Sequence, residues 1–242
     1  MASNANILAI IRQHSLQQAL PTNTFLFQQG DRLRDVHLLE KGLVKMTRGE
    51  QNGQEVTVDL RFAGSLLGAV TAFANEPATM TALTVTSCEV YRLSVKEFLK
   101  LAEGDVSFLQ DLAEQASRQR NELVIRQGQQ LLPARVRLAM LLLRFAKEFG
   151  RERKGQLSLA LPLAKQEIAG MLGITPVHLS RLLREMKGEG LIVEEKEWII
   201  LRDRQALMDV TGTGEKSGNG RVLISGLNSK SSGTLNIDSV RA

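Results

Sequence analysis

Cysteine, tyrosine and tryptophan occur once each in 242 residues, and histidine three times. A single thiol, Cys88, excludes a disulfide framework within one chain and a thiolate-ligated metal site, and it suits a reducing compartment. His14, His37 and His178 are scattered, so each reads as a surface or partly packed side chain before it reads as a ligand, although a haem asks for few protein ligands. Long apolar runs are missing as well. Leu138 to Leu143 falls far short of a membrane span. Arg12 breaks Ile7 to Ile11, so the opening stretch does not read as an export signal, and a cytoplasmic location away from any membrane is expected. No GxSxG, no HExxH and no carboxylate pair with positional logic is present, which leaves catalysis without support and no cofactor to expect. The GTGEKS stretch has Asp209 where a phosphate loop needs its first glycine, and no strand-to-helix context surrounds it.

What is present is a chain of ordinary globular composition, 43% hydrophobic, long enough for two modest domains. Its net charge of +5 is unevenly distributed. Residues 133–210 hold 14 Lys and Arg against 10 Asp and Glu, whereas 1–132 hold 13 against 14. The basic surplus therefore sits toward the C-terminal end, where phosphate attraction would favour it.

That end carries the most informative segment, AKQEIAGMLGITPVHLSRLLREMKGEGLIV from Ala164 to Val193. Ile168, Met171 and Leu172 recur at helical spacing behind Lys165, Gln166 and Glu167, and Gly173 ends that helix. Thr175 is placed to cap a second helix with Pro176 at its first position, and Leu179, Leu182, Leu183 and Met186 form one apolar stripe. The opposite face presents Val177, His178, Ser180, Arg181 and Arg184, on a rod whose width fits a major groove. Leu191 to Val193 and Trp198 to Leu201 around a charged turn predict a short hairpin, a wing. Geometry alone leaves open an ordinary pair of packed helices.

From Thr22 to Ser94 the apolar period drops to two with frequent turns, the Asn52-Gly53 pair between Leu43–Arg48 and Glu55–Leu60 being a strong hairpin signal. A compact β-roll is expected. After it, Val106 to Leu132 has no proline and predicts one helix of about 27 residues, roughly 40 Å. Leu109, Leu112, Ala116, Gln119 and Leu123 follow heptad spacing along it, which suits a two-helix seam and a parallel homodimer. Pro133 interrupts it and lets a new helix begin at Ala134.

In this order of parts, and in the SRLL of Ser180 to Leu183, the chain resembles the CRP/FNR superfamily of bacterial transcription regulators over about residues 20–208. The resemblance implies an α+β fold: an N-terminal antiparallel, cyclic-nucleotide-binding-like β-roll (1–104), a dimerisation helix (105–132), a C-terminal winged helix-turn-helix (133–210) and a tail (211–242) that its Gly, Ser and Asn content marks as disordered. It also implies a homodimer on a palindromic duplex, with RNA polymerase as a further partner. Arg181 is expected at a guanine, Ser180 at a base or phosphate, and Val177 or His178 at a thymine methyl or an acceptor, with Arg184 and Thr175 on the same surface. Lys165, Gln166 and Lys196 are expected on phosphates. Where Val177 stands many members carry a glutamate, so a different half-site is expected.

The family's effector cassette corresponds to Leu66 to Leu83. Cyclic-nucleotide receptors resembling it have a glutamate right after the glycine and an arginine near the end. Here Ala69 follows Gly68, Thr79 or Met80 occupies the second place, and the cassette contains no arginine. A buried phosphate without a cation is costly, so cyclic AMP is not expected to bind tightly. An effector of unknown identity would then meet Gly68, Ala69, Val70, Thr79, Met80 and Thr81, with Gln119 and Glu122 near the middle of the seam. Members that sense oxygen through an iron–sulfur cluster need several cysteines, and that branch does not apply. The alternative is a ligand-binding module that regulates a partner protein without touching DNA.

Overall fold

The computed structural model describes residues 3–50, 53, 55–153, 156–195 and 198–212, with the side chains of 3–6 and 153 left aside. A short helix α1 (Ser3–His14) leads into eight strands: β1 (Leu16–Leu20), β2 (Phe25–Phe27), β3 (Asp35–Lys41), β4 (Val44–Gly49), β5 (Glu55–Arg61), β6 (Leu66–Leu67), β7 (Thr81–Thr84) and β8 (Cys88–Ser94), with helix α2 (Ala69–Ala74) between β6 and β7. They form two four-stranded antiparallel sheets, ordered β1-β8-β3-β6 and β2-β7-β4-β5. Alternation along β3 explains why they close on each other. Leu39 packs into the space between the sheets with Val44, Met46, Leu67, Ala82 and Val90. Val36 and Leu38 point the other way, into a second cluster under the helices with Ile7, Ile11, Phe98 and Phe108.

Helices α3 (Val95–Gly104) and α4 (Val106–Gln129) follow, each opened by a side-chain cap: Ser94 Oγ accepts from the Glu97 amide, and Asp105 accepts from the Ser107 and Phe108 amides. The long helix ends at Gln129, three residues before the expected Leu132, because the chain turns through 130–132 ahead of Pro133. Helix α5 (Ala134–Phe149) starts where expected. The remaining elements are β9 (Arg151–Arg153), β10 (Gln156–Ala160), α6 (Lys165–Met171), α7 (Pro176–Gly188), β11 (Ile192–Glu195), β12 (Trp198–Leu201) and α8 (Arg204–Val210). The wing is thus half of a four-stranded sheet, β11-β12-β10-β9, whose other hairpin the sequence reading did not include. The expected tail beyond residue 212 lies outside the described residues.

The C-terminal domain and the roll share one core. Leu43, Leu60 and Phe62 of the roll pack in a single cluster with Leu138, Leu142 and Phe145 of α5, Ile168 of α6 and Leu179 of α7. Polar ties reinforce it. Arg144 of α5 donates to the Leu60 carbonyl at 3.2 Å and stacks over the Phe62 ring at 4.3 Å, and Lys45 Nζ of β4 lies 2.6 Å from Glu167 Oε1 of α6.

One expectation needs correction. Leu112 is only 6% exposed and belongs to the roll's own cluster, against which Leu109 also packs. Gln119 Nε2 donates to the Leu66 carbonyl at 3.5 Å. The heptad stripe is therefore spent in part inside the protomer, and of its apolar members only Ala116 and Leu123 stay partly open without a place in the roll's cluster.

Candidate nucleic-acid interface

Helix α6 ends at Met171 with Leu172 as its cap, and Gly173 adopts φ 61°, a left-handed turn that a side chain would strain. The chain re-enters helix within three residues. Thr175 Oγ1 accepts from the His178 amide at 3.2 Å, and Pro176 occupies the first position of α7, where a missing N–H costs nothing. The α6 start is capped differently. Ala164 offers no side-chain acceptor, but its own amide donates to Glu167 Oε2 at 3.2 Å.

Burial of Leu179, Leu182, Leu183 and Met186 fixes the rotation of α7 about its axis. The consequence is a free opposite face: Val177 is 80% exposed, and Arg181 and Arg184 are exposed beside it. Arg181 Nε approaches Glu185 Oε1 only to 3.7 Å, too long to hold the guanidinium in place. Two of the expected contacts are partly engaged elsewhere. Ser180 Oγ donates to the Pro176 carbonyl at 2.9 Å, so its lone pairs rather than its proton face outward, and one of the two lone pairs of Thr175 Oγ1 already serves the cap. Lys165 and Gln166 are exposed at the start of α6. Lys196 lies outside the described residues. Lys187, which the sequence reading passed over, is exposed on the same edge as Ser180; its spacing of seven residues from that serine was the available signal.

Bidentate Arg135 to Glu189 contacts tie the start of α5 to the end of α7. Arg137 donates to the carbonyls of Gln130, Leu132 and Leu172, joining the turn after α4 to the end of α6. The face of α7 is thereby held rigidly on its scaffold.

The cassette residues do not converge. Ala69 is 3% exposed and packed into the helix-side cluster, Val70 and Thr79 point to solvent, Met80 packs between the sheets, and Thr81 Oγ1 accepts from the Gln29 amide at 3.0 Å. Glu122 is exposed and pairs with Arg126 at 3.2 Å. Gly68, at φ 81°, opens α2, but that helix is only six residues long. Between β5 and α4 lies a buried ionic cluster that the sequence did not suggest. Asp59 of β5 contacts Arg126 of α4, and Arg61 Nε stands 2.8 Å from its Oδ2 without the alignment of a hydrogen bond. Burial, and then the nearby charge of Arg144, pull the Arg126 pKa down to about 10.

Two family models match the chain in sequence: a cyclic nucleotide-binding domain over residues 17–105 and a Crp-like helix-turn-helix domain over 136–210. The chain belongs to the CRP/FNR superfamily. It is a transcription regulator of that type with a helix-turn-helix domain. Curated relatives of this regulator include the global nitrogen regulator of Synechococcus elongatus, 28% identical over 75% of this chain and 83% of that protein. The anaerobic regulatory protein of Haemophilus influenzae is 23% identical over 78% and 73%, and the cAMP-activated global transcriptional regulator CRP of Salmonella typhimurium 22% over 75% and 87%. Among solved structures, a CRP-family transcriptional regulator of Thermus thermophilus superposes with a TM-score of 0.69 at 20% identity, over 83% of this chain and all of that one. FixK2 of Bradyrhizobium japonicum gives 0.69 at 18%, over 81% and 96%.

Proposed function

We propose that this CRP/FNR regulator binds a palindromic duplex site as a homodimer, with α7 of each protomer in successive major grooves, and that a small effector other than cyclic AMP sets the fit. The observation that carries the reading is the outward face of α7, where Val177, Arg181 and Arg184 stand exposed on a helix whose opposite stripe is buried. Arg181 reads a guanine through two hydrogen bonds, Val177 meets a thymine methyl, and Arg184, Lys165, Gln166 and Lys187 hold phosphates. His178, Ser180 and Thr175 complete the surface, and Lys196 would add a phosphate contact from the wing.

The homodimer is supported by a second face of α4. Val106, Ala113, Ser117 and Val124 fall on one side of the helix at spacings of seven, four and seven and are all exposed, Val124 by 58%, with Leu131 exposed just beyond. Ala116 and Leu123 flank that side. Against cyclic AMP stands the chemistry of Leu66 to Leu83, which contains no arginine, and the burial of Ala69 among apolar side chains. RNA polymerase is the expected recipient of the signal, since the family regulates transcription.

Selection of bound fragments from random duplexes tests this directly. Enrichment of an inverted repeat, with affinity falling steeply as salt rises, is the expected result. Recovery of no sequence, with no salt-dependent binding of any duplex, would instead favour a module that regulates a partner protein.

A further inference from the structure

The roll contains a cavity of about 550 Å3 that the cassette residues do not line. Its walls are Leu26 and Phe27 of β2, the loop Asp31 to Arg34, and Asp35 and His37 of β3. The volume lies within the range of small-molecule clefts.

The polar groups there are unequally engaged. Asp31 Oδ2 accepts from the Gln28 amide at 2.8 Å, and Asp35 Oδ2 pairs with Arg92 Nη2 at 2.7 Å, so both carboxylates are held by the protein. Arg32 Nη1 reaches Asn75 only at long range, 3.4 Å to its carbonyl and 3.3 Å to Oδ1. The exposed guanidinium of Arg34 makes no hydrogen bond or ion pair among the described residues. His37 is 7% exposed, and its Nδ1 has no partner among the described residues. Counting Arg92, the site holds three guanidinium groups against two carboxylates. Leu26, Phe27 and Leu33 supply an apolar wall.

We infer that this cavity binds a small organic anion, its apolar body against Leu26, Phe27 and Leu33, its carboxylate or phosphate held by Arg34 and Arg32, and its polar edge hydrogen-bonded by His37. Charge-assisted contacts to two guanidinium groups give the anion its selectivity over a neutral analogue. The imidazole supplies one donor and one acceptor from the wall. Burial draws the His37 pKa down to about 4, so the ring is neutral near pH 7.

The loop also touches the parts that would carry a signal. Arg32 reaches Asn75 at the end of α2, and a Cβ on Gly68, at its start, would sit 2.8 Å from Leu33 Cδ1. The neighbouring Leu66 carbonyl accepts from Gln119 of α4. An anion that draws Arg32 away from Asn75 would shift α2 against β6 and α4; this regulatory step rests on the regulator reading, whereas binding does not.

The test is calorimetry on the full chain with four probes: phenylacetate, phenyl phosphate, inorganic phosphate and uncharged phenylacetamide. Saturable binding of phenylacetate or phenyl phosphate is expected, at least about tenfold tighter than that of phenylacetamide or inorganic phosphate, and weakened about tenfold or more by Arg34→Gln and by His37→Phe. Which aromatic anion binds better separates a carboxylate from a phosphate ligand. Thermal unfolding of both variants verifies their fold, and Arg34→Gln, at an exposed position, keeps the test valid if His37→Phe does not fold. No saturable binding of either aromatic anion, or equal affinity in Arg34→Gln, overturns the inference. DNA binding by the same preparation separates the two readings: anion binding without DNA binding sinks the regulator alone, and DNA binding without anion binding sinks the cavity alone.

Discussion

Arg181 and Lys165 are both exposed cations on the proposed DNA surface, yet they are expected to fail differently when removed. On the proposed reading Arg181 forks onto a base, so Arg181→Ala should cost about 1–3 kcal/mol on the selected site and flatten preference at one base pair. Lys165→Ala should weaken all duplexes alike and reduce the salt slope by about one. Fluorescence anisotropy on selected and scrambled duplexes distinguishes these, and equal losses on both sequences for both variants would remove Arg181 from its role. His37 makes a separate prediction, about stability. Its folded pKa of about 4 lies below the unfolded value of 6.5, because burial outweighs the attraction of Asp35, with Arg92 adding to the depression. Between those values the unfolded chain binds a proton that the folded chain refuses, so stability falls as pH drops from 6.5 to 4, by about 3 kcal/mol in all. Above pH 6.5 the ring is neutral in both states and contributes no pH dependence. His37→Gln should therefore show a shallower loss of unfolding midpoint over that window in urea melts, and parallel acid limbs would refute the assignment.

Strand β5 and helix α4 meet through Asp59 and Arg126, and the energetics of that tie are asymmetric. Removing one partner of a buried pair strands the other, whereas removing both costs less, here a packing change and the loss of the carboxylate beside Arg61. Asp59→Asn should cost about 3 kcal/mol, toward the lower end for such pairs because Arg126 keeps Glu122. The double variant Asp59→Asn with Arg126→Met should cost clearly less than the two single losses together. Denaturant midpoints at constant slope test the cycle, and simple additivity would mean that the two groups are not coupled. Nothing in the sequence pointed to this pair, since 67 positions separate the residues and an aspartate in a strand reads as solvent-facing. The helix-turn-helix was legible for the opposite reason: Gly173, Thr175, Pro176 and the stripe from Leu179 to Met186 act on their own neighbours within a few residues. Period alone could not choose the packed side of α4. Leu109 and Leu112 fit a seam between protomers, but Val36 and Leu38 of β3 and Phe98 of α3 were already there to receive them.

At the scale of the molecule, the shared core ties the helix-turn-helix domain to the roll, so that domain cannot reorient without separating Leu60 and Phe62 from α5. Legibility fails again here, because Leu43, Leu60 and Phe62 look in the sequence like the inner face of a self-contained roll. The exposed side of α4 is what this arrangement leaves open for the proposed second copy. If two chains pair along Val106, Ala113, Ser117 and Val124, both helix-turn-helix domains are presented on one scaffold, and the second half-site is bound as an intramolecular event. Val124→Glu places two carboxylates against each other across the two-fold axis while touching neither α7 nor the core, since Val124 is exposed in the protomer. Sedimentation should then show a folded monomer. Affinity for the full palindrome should fall about 10²–10⁴-fold toward that of a half-site, while half-site affinity stays unchanged. A variant that remains dimeric with full affinity would move the seam to another face of the molecule.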